Sequence, residues 1–84
     1  MHIREVLARN LRRLRRDRGI SQEALADSAD IDRSYISSLE RGVYGATIDM
    51  VAKLADALGV EASELLLRPK RAPKSDPLEP ENGK

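Results

Sequence analysis

Side chains that could support catalysis are few in this 84-residue sequence. Cysteine is absent and His2 is the single histidine, so we expect no disulfide, no metal site and no catalytic dyad. Three serines lie close together at positions 34, 37 and 38, but no neighbouring general base could activate them as nucleophiles. No glycine-rich phosphate loop is present. The sequence therefore predicts a protein that is not an enzyme and needs no cofactor.

Charge is unevenly distributed along the chain, although the formal net charge is only +1. Residues 1–18 carry seven arginines against two acids, and residues 19–67 carry three basic residues against nine acids. This segregation indicates a basic surface for a polyanion, with the acidic part turned away from it. A solvated arginine-rich helix without a partner explains the charge alone equally well.

Proline and apolar spacing divide the chain into a helical domain and a tail. Residues 1–67 contain no proline and no alternating run long enough for a strand, which predicts an all-α domain. Residues 68–84 contain all four prolines and one large apolar residue, Leu78, so we expect a disordered tail. The expected helices are 3–17, 22–28, 33–40, 48–58 and 61–67.

Capping residues and apolar stripes define the ends and inner faces of these helices. Ser21, Asp32 and Thr47 are expected to act as N-caps by accepting hydrogen bonds from backbone N–H groups. The residues expected to face inward recur every three or four positions. They are Ile3, Leu7, Leu11 and Leu14 in the first helix, and Ile48, Val51, Leu54, Ala55 and Leu58 in the fourth.

The second and third helices are joined by only about four residues, 29–32. Ala26 is small where two helices crossing near a right angle would touch, and Ile31, Ile36 and Leu39 supply apolar contacts. This pattern predicts a helix-turn-helix, whose second helix lies in the DNA major groove.

Four segments carry a resemblance to a known family: LRRLR at 11–15, GISQEALA at 19–26, IDRSYISSLERG at 31–42 and ATIDMVAKLADALGV at 46–60. Over residues 7–66 the sequence resembles the Xre/Cro-type, lambda-repressor-like DNA-binding domains. The run that includes the third helix is especially similar to restriction–modification controller proteins and small phage or plasmid regulators. The resemblance implies a compact five-helix, cytoplasmic, bacterial transcription regulator that binds double-stranded DNA.

The resemblance also implies roles for individual residues. Base reading is expected from Arg33, Ser34, Tyr35, Ser37 and Ser38. Arg33 is the strongest candidate, because a guanidinium can bond to guanine O6 and N7 together. Phosphate contacts are expected from Gln22, Arg12, Arg41, Gly42 and Tyr44. Arg15 and Glu40 match a structural salt bridge between the first and third helices.

Two positions depart from the family pattern. The sequence Val-Tyr-Gly-Ala at 43–46 replaces a basic-Asn-Pro turn, which leaves a second phosphate contact there open. Asp30 stands where the family often has a left-handed glycine, a conformation that aspartate tolerates better than most residues.

One helix-turn-helix reads too few base pairs to define a site in a genome. We therefore expect a homodimer on a pseudo-palindromic operator with half-sites about one helical turn apart. Apolar residues beyond the needs of a small core are predicted to form the dimer interface: Leu58, Val60, Leu65, Leu66 and Leu67. Alternatively, Leu65 and Leu66 only close the core of the monomer.

Two other functions are compatible with the sequence. In the first, the chain is an antitoxin whose tail binds a toxin, although the tail is short and has only one large apolar residue. In the second, it is a protein-interaction module that has lost DNA binding, although Gln22, Arg33 and the basic first helix argue against this.

No apolar run approaches the roughly 18 residues of a membrane span, and we expect no membrane or small-molecule partner.

Overall fold

The computed structural model describes residues 2–68, which form five α-helices and no strand. The helices are α1 (Ile3–Asp17), α2 (Gln22–Ala29), α3 (Arg33–Glu40), α4 (Ile48–Leu58) and α5 (Ala62–Leu66). The all-α prediction is therefore confirmed. Helix α2 is one residue longer than expected, and α5 is one residue shorter at each end. The predicted tail, apart from Arg68, lies outside the described residues.

All three predicted N-caps are confirmed, and they fix where α2, α3 and α4 begin. The hydroxyl oxygens of Ser21 and Thr47 each accept a hydrogen bond from the backbone N–H three residues on, at 3.0 and 3.1 Å. The Asp32 carboxylate accepts one from the N–H of Ser34 at 3.3 Å. Each cap satisfies a backbone donor that has no partner within its helix.

The core lies between the five helices. Helix α1 packs against α3 and α5, α2 packs against α3 and α4, and α4 packs against α5. Ala26 is buried at the crossing of α2 and α3, where Ile36 and Leu39 are fully buried, as the helix-turn-helix pattern predicts. The largest fully buried side chains are Leu11, Leu25, Ile36, Leu39, Leu54, Leu65 and Val6.

Two residues predicted to face inward are exposed instead. Ile3 is 54% exposed and Ile48 is 87% exposed. Each is the first residue of its helix, so it lies beyond the turns that pack on the core, although it falls on the apolar stripe. Val6, one turn after Ile3, is fully buried.

The predicted dimer interface also needs correction. Leu58 and Leu65 are 3% and 0% exposed, so both belong to the core of the monomer. Val60 is half-buried and packs against that core. Leu66 and Leu67 remain exposed. Apolar spacing identified residues that must be buried, but it could not separate burial in the monomer from burial in a dimer.

Two negative observations concern residues 2–68 only. None of the helices formed there is long and apolar enough to cross a membrane. In the same range, no group of three or more histidine, aspartate or glutamate side chains is arranged to hold a metal ion.

Candidate nucleic-acid interface

The turn between α2 and α3 fixes the direction of α3. Asp30 ends α2 in the left-handed conformation, with φ 57° and ψ 50°, as expected from its place in the sequence. The N–H groups of Asp30 and Ile31 donate to the carbonyl oxygens of Asp27 and Ala26, at 3.3 and 2.9 Å. These bonds satisfy two of the last carbonyl groups of α2. They also fix the turn in the chain, so that α3 crosses α2.

The beginning of α2 and the outer side of α3 line one shallow concavity of about 320 Å³. Six of the ten residues predicted to contact DNA line it: Gln22, Arg33, Ser34, Ser37, Ser38 and Arg41. Each of these side chains carries at least one hydrogen-bond donor. The structure therefore brings together residues from two helices and from the loop after α3, as a DNA-binding surface requires.

Exposure within this concavity decreases along α3. Arg33 and Ser34 are exposed, and Ser37 is half-buried. Ser38 is only 9% exposed, so its role in base reading is limited to what its hydroxyl can reach. The α3 side chains of this concavity that are open to a base edge are therefore those of Arg33, Ser34 and, in part, Ser37.

Tyr35 does not line the concavity, which corrects its assignment as a base reader. Its hydroxyl donates a hydrogen bond to the backbone oxygen of Gly45 at 3.0 Å. Its ring lies 6.4 Å from the ring of Tyr44, with 36° between the two planes. Tyr35 is half-buried and packs against the core. It therefore ties α3 to the 43–46 loop.

The C-terminal end of α3 is held by Glu40, which is 3% exposed. Arg15 donates to both carboxylate oxygens, from Nε to Oε2 at 2.6 Å and from Nη2 to Oε1 at 3.0 Å. Hydrogen bonding to Glu40 raises the pKa of Arg15, and the attraction between the two charges adds to this despite the opposing effect of burial. This bidentate ion pair joins α1 to the end of α3.

Two predicted phosphate contacts also bind Glu40. Gln22 donates from Nε2 to Oε1 at 3.1 Å, and Arg12 donates from Nη1 to the backbone oxygen of Glu40 at 2.6 Å. A glutamine amide group has two N–H donors, so the bond to Glu40 leaves Gln22 a second donor for another acceptor. Part of the Arg12 guanidinium, by contrast, is used to hold the last carbonyl of α3.

The first residues of the loop after α3 use their backbone N–H donors internally. Gly42, with φ 72°, donates its N–H to the carbonyl of Leu39 at 3.1 Å, and Val43 donates to the carbonyl of Ser38 at 3.1 Å. The assignment of the Gly42 amide to phosphate binding is therefore wrong, because that donor completes the end of the helix. The Arg41 side chain is exposed and lines the concavity.

Asn10 was not predicted to have any role. It is 2% exposed, and its Nδ2 donates to the backbone oxygens of Leu65 at 2.9 Å and Leu67 at 2.8 Å. A signal for it does exist in the sequence, because Asn10 is a polar residue on the apolar stripe between Leu7 and Leu14. A buried polar residue must find partners, but its partners lie 55 and 57 positions along the chain.

Comparison with known proteins agrees with this geometry. The HTH_3 family model, described as "Helix-turn-helix", matches residues 11–65, which include α2, the turn and α3. The chain belongs to the Xre-like helix-turn-helix family. Members of this family are DNA-binding transcription regulators and not enzymes.

Individual members of the family differ in how completely the chain matches them. A "Neisseria hypothetical transcription factor" from Neisseria meningitidis is 45% identical over 67 residues, covering 80% of this chain and 63% of the relative. The chain thus spans somewhat less than two thirds of that relative's length. The "Control protein C.BamHI" from Bacillus amyloliquefaciens is 38% identical over 66 residues, covering 77% of this chain and 82% of the relative.

A solved structure gives the same result for the helix-turn-helix fold. The restriction–modification controller protein C.AhdI from Aeromonas hydrophila has a TM-score of 0.72 and 40% sequence identity. The match covers 74% of this chain and 94% of that chain.

Proposed function

We propose that the chain is a transcription regulator that binds double-stranded DNA sequence-specifically as a homodimer, in the cytoplasm, on a pseudo-palindromic operator. Helix α3 lies in the major groove, and the N-terminal end of α2 meets the phosphate backbone. The observation that supports this most directly is the shared concavity, which places Gln22, Arg33 and Arg41 on one surface.

Within this surface, base reading belongs to the accessible α3 side chains of Arg33, Ser34 and Ser37. Arg33 bonds to a guanine, and Ser34 and Ser37 supply short hydroxyl contacts to a base or a phosphate. Gln22 donates its second amide hydrogen to a phosphate beside the N-terminus of α2, where backbone N–H groups also attract an anion. Arg41 contacts the next stretch of backbone.

The dimer surface of this proposal consists of four of the large apolar residues that are exposed within residues 2–68: Ile3, Ile48, Leu66 and Leu67. Leu66 and Leu67 are 40% and 62% exposed at the end of α5, and Ile48 is 87% exposed at the start of α4. Ile3 and Leu66 line the same small groove, of about 130 Å³. Burial of these residues against a second copy would remove apolar surface from water.

Selection of bound duplexes from a random DNA pool, at near-physiological salt, tests this function. We expect recovery of a pseudo-palindrome with a guanine in each arm. An Arg13→Ala variant is the matched control, because Arg13 is an exposed arginine of α1 that does not line the concavity. It should select the same sequence. Recovery of no sequence, with only salt-sensitive bulk binding, would contradict the proposal.

A further inference from the structure

Helix α1 is the direct link between the recognition helix and the end of α5. It packs against both α3 and α5, whereas α3 and α5 share no comparable interface with each other. The second route between them runs through α2 and α4 and crosses three interfaces. The shortest connection between α3 and the exposed leucines at the end of α5 therefore passes through α1.

Side chains of α1 form hydrogen bonds at both of its interfaces. At α3, Arg12 and Arg15 bind Glu40 with N–O distances of 2.6 to 3.0 Å. At the C-terminal end of α5, the amide group of Asn10 donates to two backbone oxygens, those of Leu65 and Leu67.

The acceptors of Asn10 lie where α5 ends. The backbone oxygens of Leu65 and Leu67 flank Leu66, and the last carbonyls of a helix have no partner within it. Apolar packing is non-directional, so it allows a short helix to slide or turn on its neighbour. Hydrogen bonds prefer narrow ranges of distance and angle. Two bonds from one buried amide therefore fix both the position and the rotation of this end of α5.

We propose that Asn10 is a positioning residue that sets the half-site spacing accepted by the dimer. It does so by fixing the surface formed by Leu66 and Leu67 relative to α3. The proposal rests on the function proposed above, since only a dimer bound to two half-sites has a spacing to select. In a dimer, any rotation of that surface relative to α3 changes the distance between the two recognition helices.

The test compares the full chain with Asn10→Ala on duplexes that carry the selected operator. One duplex has the selected spacing, others have one or two base pairs inserted or removed between the half-sites, and one carries a single half-site. Ala52→Gly is the matched control. Ala52 is exposed in the middle of α4, so glycine there destabilises the fold through backbone entropy without removing a contact between helices.

We expect the wild-type chain to prefer the selected spacing over a changed one by about tenfold or more. Asn10→Ala should reduce this preference to about threefold or less, with single-half-site affinity within about twofold of wild type. Asn10→Gln keeps both amide N–H donors, on a side chain one methylene longer, and should recover part of the preference. Ala52→Gly should keep all of it.

An unchanged spacing preference in Asn10→Ala, or an equal loss in Ala52→Gly, would overturn the role of Asn10. If Asn10→Ala does not fold at the assay temperature, Asn10→Leu replaces it, because leucine fills similar space without a donor. The same reduction is expected from that variant. If the wild-type chain itself shows no preferred spacing, the dimer model fails, which is distinct from failure of the Asn10 assignment alone.

Discussion

The two ends of α3 differ in how their side chains are held. At the N-terminal end, Arg33 and Ser34 are exposed, and within residues 2–68 neither side chain has a hydrogen-bond partner. At the C-terminal end, Glu40 is buried and binds side chains from α1 and α2. In the part of the chain that the structure describes, the eight residues of α3 therefore have exposed side chains without partners at one end and a buried, hydrogen-bonded side chain at the other. Substitutions at the first end should change what is read, and those at the second should change whether α3 is held in place.

Glu40→Ala should have the largest effect, on the anchored end. It leaves the Arg15 guanidinium without its partner and removes the acceptor of Gln22. We expect a loss of about 3 kcal/mol in the free energy of unfolding, at the lower end of the range for a broken buried pair because Arg15 reaches the surface. Chemical denaturation followed by circular dichroism measures it. A loss below about 0.5 kcal/mol would show that Glu40 does not anchor α3.

Arg33→Ala should have the next largest effect, on the free end. Loss of a bidentate contact to guanine should weaken binding to the selected operator by about 1–3 kcal/mol. The free energy of unfolding should change by less than about 0.5 kcal/mol, because the side chain is exposed. Titrations on operator and random duplexes measure both affinities. Equal weakening on the two would make Arg33 a phosphate contact.

Tyr35→Phe tests whether Tyr35 belongs to the exposed end of α3, which reads DNA, or to the part of α3 that is held by the rest of the protein. Removal of the hydroxyl breaks the bond to Gly45 and should cost about 0.5–1.5 kcal/mol of stability. The sequence preference of the protein should not change, because this hydroxyl is used inside the protein. Denaturation and duplex selection on the same variant decide the question. An altered preference at one base pair, with an unchanged free energy of unfolding, would show that Tyr35 contacts a base after all.

Arg13→Ala should have the smallest effect. The pair between Arg13 and Asp17 has an N–O distance of 3.8 Å, and both side chains are more than half exposed. Exposed pairs one turn apart contribute only about 0.3–0.5 kcal/mol, so the melting temperature should change little. Salt titrations of DNA binding provide the second readout. A loss of operator affinity as large as that of Arg33→Ala would mean that α1 also contacts the bound site.

The sequence predicted the elements of this fold well because their signals are local. Ser21, Asp32 and Thr47 each cap a helix through a residue two or three positions away. Apolar spacing identified the inner faces of α1 and α4 but not how far the core extends along them. Ile3 and Ile48 were therefore placed in the core although they are exposed.

The candidate site was predictable where residue type alone suggests a role, as for Arg33. It was not predictable where a role depends on partners distant in the chain. The bonds of Gln22 and Arg12 to Glu40 span 18 and 28 positions, and those of Asn10 span more. A sequence pattern shows that such polar groups need partners, but only the packing of the helices determines which partners they find.

Duplex selection performed in parallel on the wild-type chain and on Arg33→Ala tests most directly whether the free end of α3 reads DNA. The wild-type chain should select a pseudo-palindrome with a guanine in each arm. Arg33→Ala should lose the preference at that guanine and keep the preferences at the other positions. Identical base preferences in the two selections would contradict the assignment of base reading to the N-terminal end of α3.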